Sequence, residues 1–213
     1  YKKDEIMKQE GWHYEVDEET GELFINGVVY NEMKGVYSSA EEQLYRIIEK
    51  SLLGHTAYGY ESGGDPAYIP ELTQEAFLDF HRRYYHPSNS YIYLYGDMDS
   101  VAELDFIDKE YLSDFDYLDI DSSLKDEPCF EKPQSVTEYY SLSDADSEED
   151  NTYLAYNVVV GKSLDKKLCT AMSVLEHALL IAPGAPLKKA LIDAGIGKDV
   201  FSSFDDGIKQ PTF

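Results

Sequence analysis

The sequence predicts an α+β fold, and three observations carry that prediction. Residues 12–16 and 22–25 are aromatic or β-branched runs on either side of Asp17-Glu-Glu-Thr-Gly21, and the glycine supplies the turn of a hairpin. Leu44, Ile47, Ile48, Ser51 and Leu52 recur at helical spacing. A pattern of strand followed by helix then stands on both sides of an acidic stretch at 113–134.

Taken in order, Gly27 to Gly35 reads as a short helix bracketed by glycines. Ser39-Ala-Glu-Glu42 is a capping box, because the hydroxyl and the carboxylate can satisfy free backbone N–H groups at a helix start. The helix it opens, 39–53, stops at Gly54. Residues 55–72, rich in Gly, Pro and Tyr, read as an ordered loop. Thr73 caps a second helix with Phe77, Phe80 and Tyr84 on one stripe, and Pro87 cannot continue it. Residues 90–96 alternate with a period of two, which predicts a strand. Ser100-Val-Ala-Glu103 is a second capping box, opening a helix to about Leu112. Residues 113–134 hold seven Asp or Glu, two prolines and no periodicity, so they read as a linker. Beyond it, 135–142 and 152–161 are expected to pair as strands around an acidic tip, Asp144 to Asp150. Ser163 is expected to cap a helix with Leu164, Leu168, Ala171, Met172, Leu175 and Leu179 as its stripe, ended by Pro183. Pro186 starts another helix, and 198–204 is read as a strand.

The 213 residues, 43% of them hydrophobic, allow one large domain or two smaller ones with a packed core. With 42 acidic against 18 basic residues the net charge is −24. Phosphate backbones and anionic membrane surfaces are therefore excluded as partners, whereas cationic peptides are attracted. The same acidity also serves solubility in a cytoplasmic protein. No apolar run approaches the length of a membrane span, and no signal peptide opens the chain. Both ends look cut from a longer protein. Cys129 and Cys169 lie far apart with no CxxC, which fits two free thiols in a reducing compartment.

Most chemical motifs fail on inspection. Gly161-Lys-Ser163 ends like a phosphate loop, but the glycine required at 156 is Tyr156. Asp144-Ala-Asp146-Ser-Glu148 starts like a calcium loop, yet Glu149 and Ala155 occupy its glycine and glutamate positions. Ser62, in Gly59-Tyr-Glu-Ser-Gly63, misses nucleophile-elbow spacing by one residue. His81 and His86 are five apart and cannot share one ion on a helix. The histidines, His13, His55, His81, His86 and His177, are expected at helix ends or in packing. Ser173-Val-Leu-Glu176-His177 holds two residues of the inverted zinc motif H-x-x-E-H, but serine replaces the first histidine. It reads as a helix whose Glu–His pair faces solvent or a domain contact.

Gly27-Val-Val-Tyr-Asn-Glu-Met-Lys-Gly-Val-Tyr37 resembles the presequence-protease branch of the pitrilysin/insulinase zinc peptidases. Further blocks match in the same order: Gln9-Glu-Gly-Trp-His-Tyr-Glu15, Ser62-Gly-Gly-Asp-Pro66, Ile69-Pro-Glu-Leu-Thr73, Phe80-His81, Tyr85-His-Pro-Ser-Asn89 and Tyr95-Gly-Asp97. Together they cover residues 1–100; later, Ala185 to Gly195 resembles the family more weakly. The resemblance implies an antiparallel sheet with helices packed on it, as a metallohydrolase-like repeated domain in two partial copies. Residues 1–112 would be the C-terminal half of the catalytic domain and 135–213 the N-terminal part of a second, non-catalytic one. It implies a zinc metalloendopeptidase that degrades short unstructured peptides. Glu32 matches the family's distal metal ligand, although by itself a mid-helix glutamate reads as solvent-exposed. The family's H-x-x-E-H is not in this chain, so the chain alone is expected to be inactive and to lack Zn2+. A non-catalytic peptide-binding relative of the same fold is the alternative. Half-domains with open sheet edges are expected to associate as homo-oligomers.

Overall fold

Helix α1 (Asp4–Glu10) opens the chain, with Asp4 and Glu5 in its first turn and Lys8 paired to Asp4. Strands β1 (His13–Val16) and β2 (Leu23–Asn26) follow as the predicted hairpin. Asp17 Oδ1 accepts from the backbone N–H groups of Glu19 and Thr20, and Gly21 supplies φ +73°. These features come from a computed structural model that describes all residues of 1–213 except 144 and 146. The calcium-loop-like run and the acidic tip both include Asp144 and Asp146, which lie outside the described residues.

The remaining helices are α2 (Val28–Val36), α3 (Ala40–Leu53), α4 (Gln74–Tyr84), α5 (Ser100–Glu110), α6 (Lys166–Glu176) and α7 (Pro186–Asp193). The chain forms an α+β arrangement of two compact units, residues 1–35 with 63–123, and 36–62 with 124–213. In the first, Met33 and Ile69 are buried. In the second, Leu53 and Pro211 are fully buried, joined by Cys169, Leu180 and Ala185. Cys129 is exposed and Cys169 buried, and both are free thiols. No single helix among the described residues is long and apolar enough to cross a membrane.

Two caps differ from expectation. Asp99, not Ser100, caps α5 by accepting from the N–H groups of Val101 and Ala102. Asp165, not Ser163, caps α6 by accepting from Leu168 N. In both cases a carboxylate two or fewer residues away competes with the serine hydroxyl and wins, being charged at the positive end of the helix. Ser39 and Thr73 do cap α3 and α4.

The sheet is smaller than predicted. Among the described residues β1–β2 is the only ladder. Residues 91–95 show the alternation, since Tyr91, Tyr93 and Tyr95 are 104, 85 and 87% exposed against 55% and 39% for Ile92 and Leu94. Period-two patterning sets which side faces out, but a strand also needs a hydrogen-bonded neighbour, and none is present among the described residues. Nor do 135–142 and 152–161 pair. Val158 and Val160 bond instead with Phe213 and Pro211, and Thr212 bridges both Val159 and Asp205. The final three residues thus take the place beside 158–160 that the sequence assigned to 135–142, and 198–204, read as a strand, forms no ladder among the described residues, the nearest bridge being that of Asp205 with Thr212.

Candidate metal-ligand helix

Helix α2 starts where β2 ends, and the join is tight. Gly27 has φ +153°, and a Cβ there would stand 2.2 Å from Gly11 O and 2.7 Å from Trp12 Cα. Only glycine allows this approach. Tyr30 N donates to Gly11 O at 3.3 Å, and Asn31 N to Gly27 O at 2.9 Å. On its other flank the helix buries Met33 beneath Gly63, whose missing Cβ would lie 2.3 Å from Met33 Sδ. Glu32 stands between these anchors. It is exposed, and among the described residues its carboxylate has no hydrogen-bond or ion-pair partner.

An unengaged carboxylate on a held helix suits a zinc ligand through oxygen. No group of three His, Cys, Asp or Glu that could hold a metal occurs among the described residues, so Glu32 is a single donor here. The donor chemistry fits one position of a zinc site.

The other candidate residues are separated from Glu32 in role. Ser173 Oγ donates to Cys169 O at 3.1 Å within α6. Glu176 is buried, while His177 is exposed and opens a π-helical turn, His177–Ile181, closed by Ala182 N donating to His177 O. The pair therefore points to different environments. His86 Nδ1 accepts from Ser88 N and caps the turn Pro87–Asn89. His81 stacks between Tyr1 and Tyr85 at 4.3 and 4.6 Å. His13 Nδ1 lies 2.7 Å from Lys8 O.

His55 is different. Its ring Nδ1 is 2.5 Å from Glu127 Oε1, and its backbone N donates to Glu127 Oε2 at 2.9 Å. The Glu127 side chain is 4% exposed and the His55 ring 82%. Gln210 completes the tie, accepting from Glu127 N at 2.5 Å and donating to Glu127 O at 3.2 Å. Residues 72 positions apart give no local sequence signal, so this pair was not legible.

The family described as Peptidase M16 inactive domain matches residues 71–213. This chain belongs to the M16 peptidase family. Protein HypA of Clostridium perfringens is 48% identical over 213 residues, all of this chain and 22% of that protein. Presequence protease 1 of Arabidopsis thaliana is 40% identical over 211 residues, 97% of this chain and 19% of that protein. The mitochondrial presequence protease of Danio rerio is 34% identical, covering 96% and 21%. The chain spans about a fifth of the length of these relatives. Glu32 precedes the segment matched as the inactive domain, but it lies within the stretch shared with Protein HypA.

Proposed function

We propose that the protein carrying this chain is a zinc-dependent endopeptidase acting on short unstructured peptides, and that Glu32 is one of its metal ligands. The observation behind this reading is the unpartnered Glu32 carboxylate on a helix fixed on both flanks, in a chain of the M16 family. When bound, zinc supplies Lewis acidity toward water and the scissile carbonyl. The role of Glu32 is to hold one coordination position with an oxygen. The role of Gly27, Met33 and Gly63 is to keep α2 where that oxygen can be used. In the same reading, residues 1–112 belong to the catalytic half of a repeated metallohydrolase-like fold, 113–134 link the domains, and 135–213 begin a non-catalytic domain. The net charge of −24 supports a preference for cationic peptides. Two free thiols support a cytoplasmic setting.

The test is to substitute Glu32→Gln in the full-length protein and to measure bound zinc and hydrolysis of a fluorogenic unstructured peptide. Both are expected to fall at least tenfold. Unchanged zinc content together with unchanged hydrolysis overturns the reading. The 213-residue chain by itself, which brings one donor, is expected to retain less than about one tenth of a zinc per chain after dialysis, because catalytic sites use three protein ligands.

A further inference from the structure

Three consecutive residues of α2 have three different fates. Asn31 is tied to the hairpin, Glu32 is free, and Met33 is buried. In a helix, successive side chains are about 100° apart around the axis and about 1.5 Å apart along it. The direction of Glu32 is therefore set by what holds its two neighbours. Met33 is held by apolar contact beneath Gly63. Asn31 is held by a polar hub whose centre is Asn26.

The hairpin register builds that hub. His13 pairs with Asn26 and Glu15 with Phe24, so Glu15 and Asn26 share a face as diagonal neighbours. Asn26 Nδ2 donates to Glu15 Oε2 at 2.5 Å. Asn26 Oδ1 accepts from Gly27 N at 2.8 Å and from Asn31 Nδ2 at 2.6 Å. The amide orientation is fixed by chemistry: a carboxylate only accepts and a backbone N–H only donates, so the nitrogen must face Glu15 and the oxygen Gly27. His13 Nε2 stands 3.8 Å from the same Glu15 oxygen, and its Nδ1 meets Lys8 O in α1. A single amide thus joins β1, β2 and the first turn of α2.

We infer that Asn26, with Glu15 and Asn31, is a positioning residue for Glu32, fixing the rotation of α2 so that the carboxylate meets the metal. This inference rests on the reading of Glu32 as a ligand. The geometry explains why such a device matters. A side-chain tip stands about 6 Å from the helix axis, so a 10° rotation displaces it by about 1 Å. Metal–ligand distances tolerate about 0.2 Å. The bond from Asn31 opposes that rotation from the side of the helix that Met33 does not hold.

The experiment measures zinc affinity of the full-length protein by chelator competition, and the ligand-field absorption of its Co2+ form. Glu32→Ala, Asn26→Ala, Glu15→Ala and Glu15→Gln are compared at a temperature where far-UV circular dichroism shows each to be folded. Asn26→Ala is expected to weaken zinc binding about tenfold, in the range seen when groups supporting metal ligands are removed, and to alter the Co2+ spectrum. Glu15→Ala is expected to weaken it severalfold. Glu15→Gln keeps an oxygen acceptor for Asn26 and is expected to restore affinity to within about twofold and to return the Co2+ spectrum to that of the unsubstituted protein. If Glu32→Ala leaves zinc affinity unchanged, the ligand reading fails and the positioning inference falls with it. If Glu32→Ala weakens binding while Asn26→Ala and Glu15→Ala stay within twofold of the unsubstituted protein, the positioning inference alone is overturned. Should Asn26→Ala fail to fold, the exposed Glu15 carries the same comparison.

Discussion

Replacing Glu127 by alanine is expected to destabilise the second unit by about 3 kcal/mol, and replacing its partner His55 by only about 1 kcal/mol. The asymmetry follows from burial. Glu127 is 4% exposed and accepts from both the backbone N and the ring of His55. Without it, a part-buried backbone donor loses its acceptor, which costs about 1–3 kcal/mol. The bond to the ring adds at most about 1 kcal/mol, because the ring is 82% exposed and solvent screens the interaction. His55→Ala removes only this second component and keeps the backbone bond. Glu127→Gln retains one acceptor oxygen and is expected to fall between the two. Gln210 holds the Glu127 backbone in every variant, so the segment stays in place. The assay is urea denaturation followed by far-UV circular dichroism, with amide exchange at His55 as a local readout. The single tryptophan, Trp12, belongs to the first unit and serves as an internal control. The reasoning is refuted if His55→Ala costs as much as Glu127→Ala, or if Glu127→Ala leaves His55 exchange unchanged.

Gly27→Ala is expected to cost about 3 kcal/mol or more in the first unit, since the added Cβ meets backbone atoms at 2.2 and 2.7 Å and the residue has φ +153°; Trp12 fluorescence during urea unfolding reads it. Glu49, whose side chain is 56% exposed, has its pKa raised modestly above the ordinary 4.5, chiefly by partial loss of solvent around the carboxylate, against the lowering effect of Arg46 and with further raising by Glu61 and Asp205. Its contribution to stability is complete below 4.5 and is lost as pH rises through the raised value, so Glu49→Gln is expected to be neutral in acid and stabilising at pH 7; parallel pH–stability curves for the two proteins count against this. Asp126 has its pKa lowered, first by hydrogen bonding from Lys162 and then from Lys209. Its stabilisation is present above the ordinary 3.8 and lost as pH falls through the lowered value. The double variant Lys162→Ala/Lys209→Ala should move the Asp126 carboxyl titration, followed by NMR, upward toward the ordinary value, and no movement refutes the assignment.

What the sequence revealed depended on how far each interaction reaches. The hairpin at 13–26, the start of α2 after Gly27 and the caps at Ser39 and Thr73 all depend on residues a few positions apart, and all were legible, whereas Gly35, read as the end of α2, lies inside it. The caps at Asp99 and Asp165 were misassigned because a serine and a nearby carboxylate offer the same local pattern, and only geometry separates them. At 91–95 the alternation correctly marks the more exposed side chains but carries no information about a neighbouring strand. The pairing of 158–160 with 211–213 spans more than 50 residues and overrode the local expectation of a hairpin with 135–142. At the candidate site, Glu32 is singled out by resemblance and by no local spacing. The hub beside it could have been read from the hairpin register, since residues 13, 15, 24 and 26 share a face once His13 is set opposite Asn26.

Helix α2 has nine residues, and isolated helices of that length are marginal in water. Its existence therefore depends on tertiary ties rather than on its own sequence. Those ties are unevenly distributed: the close approach of Gly27 and the Asn26 amide hold its start, and burial of Met33 holds its middle. Glu32 makes none of them. A residue that contributes nothing to holding its own helix, on a helix held by its neighbours on both sides, is free to change without loss of fold. Its substitution should accordingly separate function from stability: Glu32→Gln is expected to change the unfolding free energy by less than about 0.5 kcal/mol, as is usual for an exposed side chain without partners. The same substitution is expected to lower bound zinc in the full-length protein. A stability loss of 2 kcal/mol or more would show instead that Glu32 is part of the scaffold, and would remove the physical basis for assigning it to the metal.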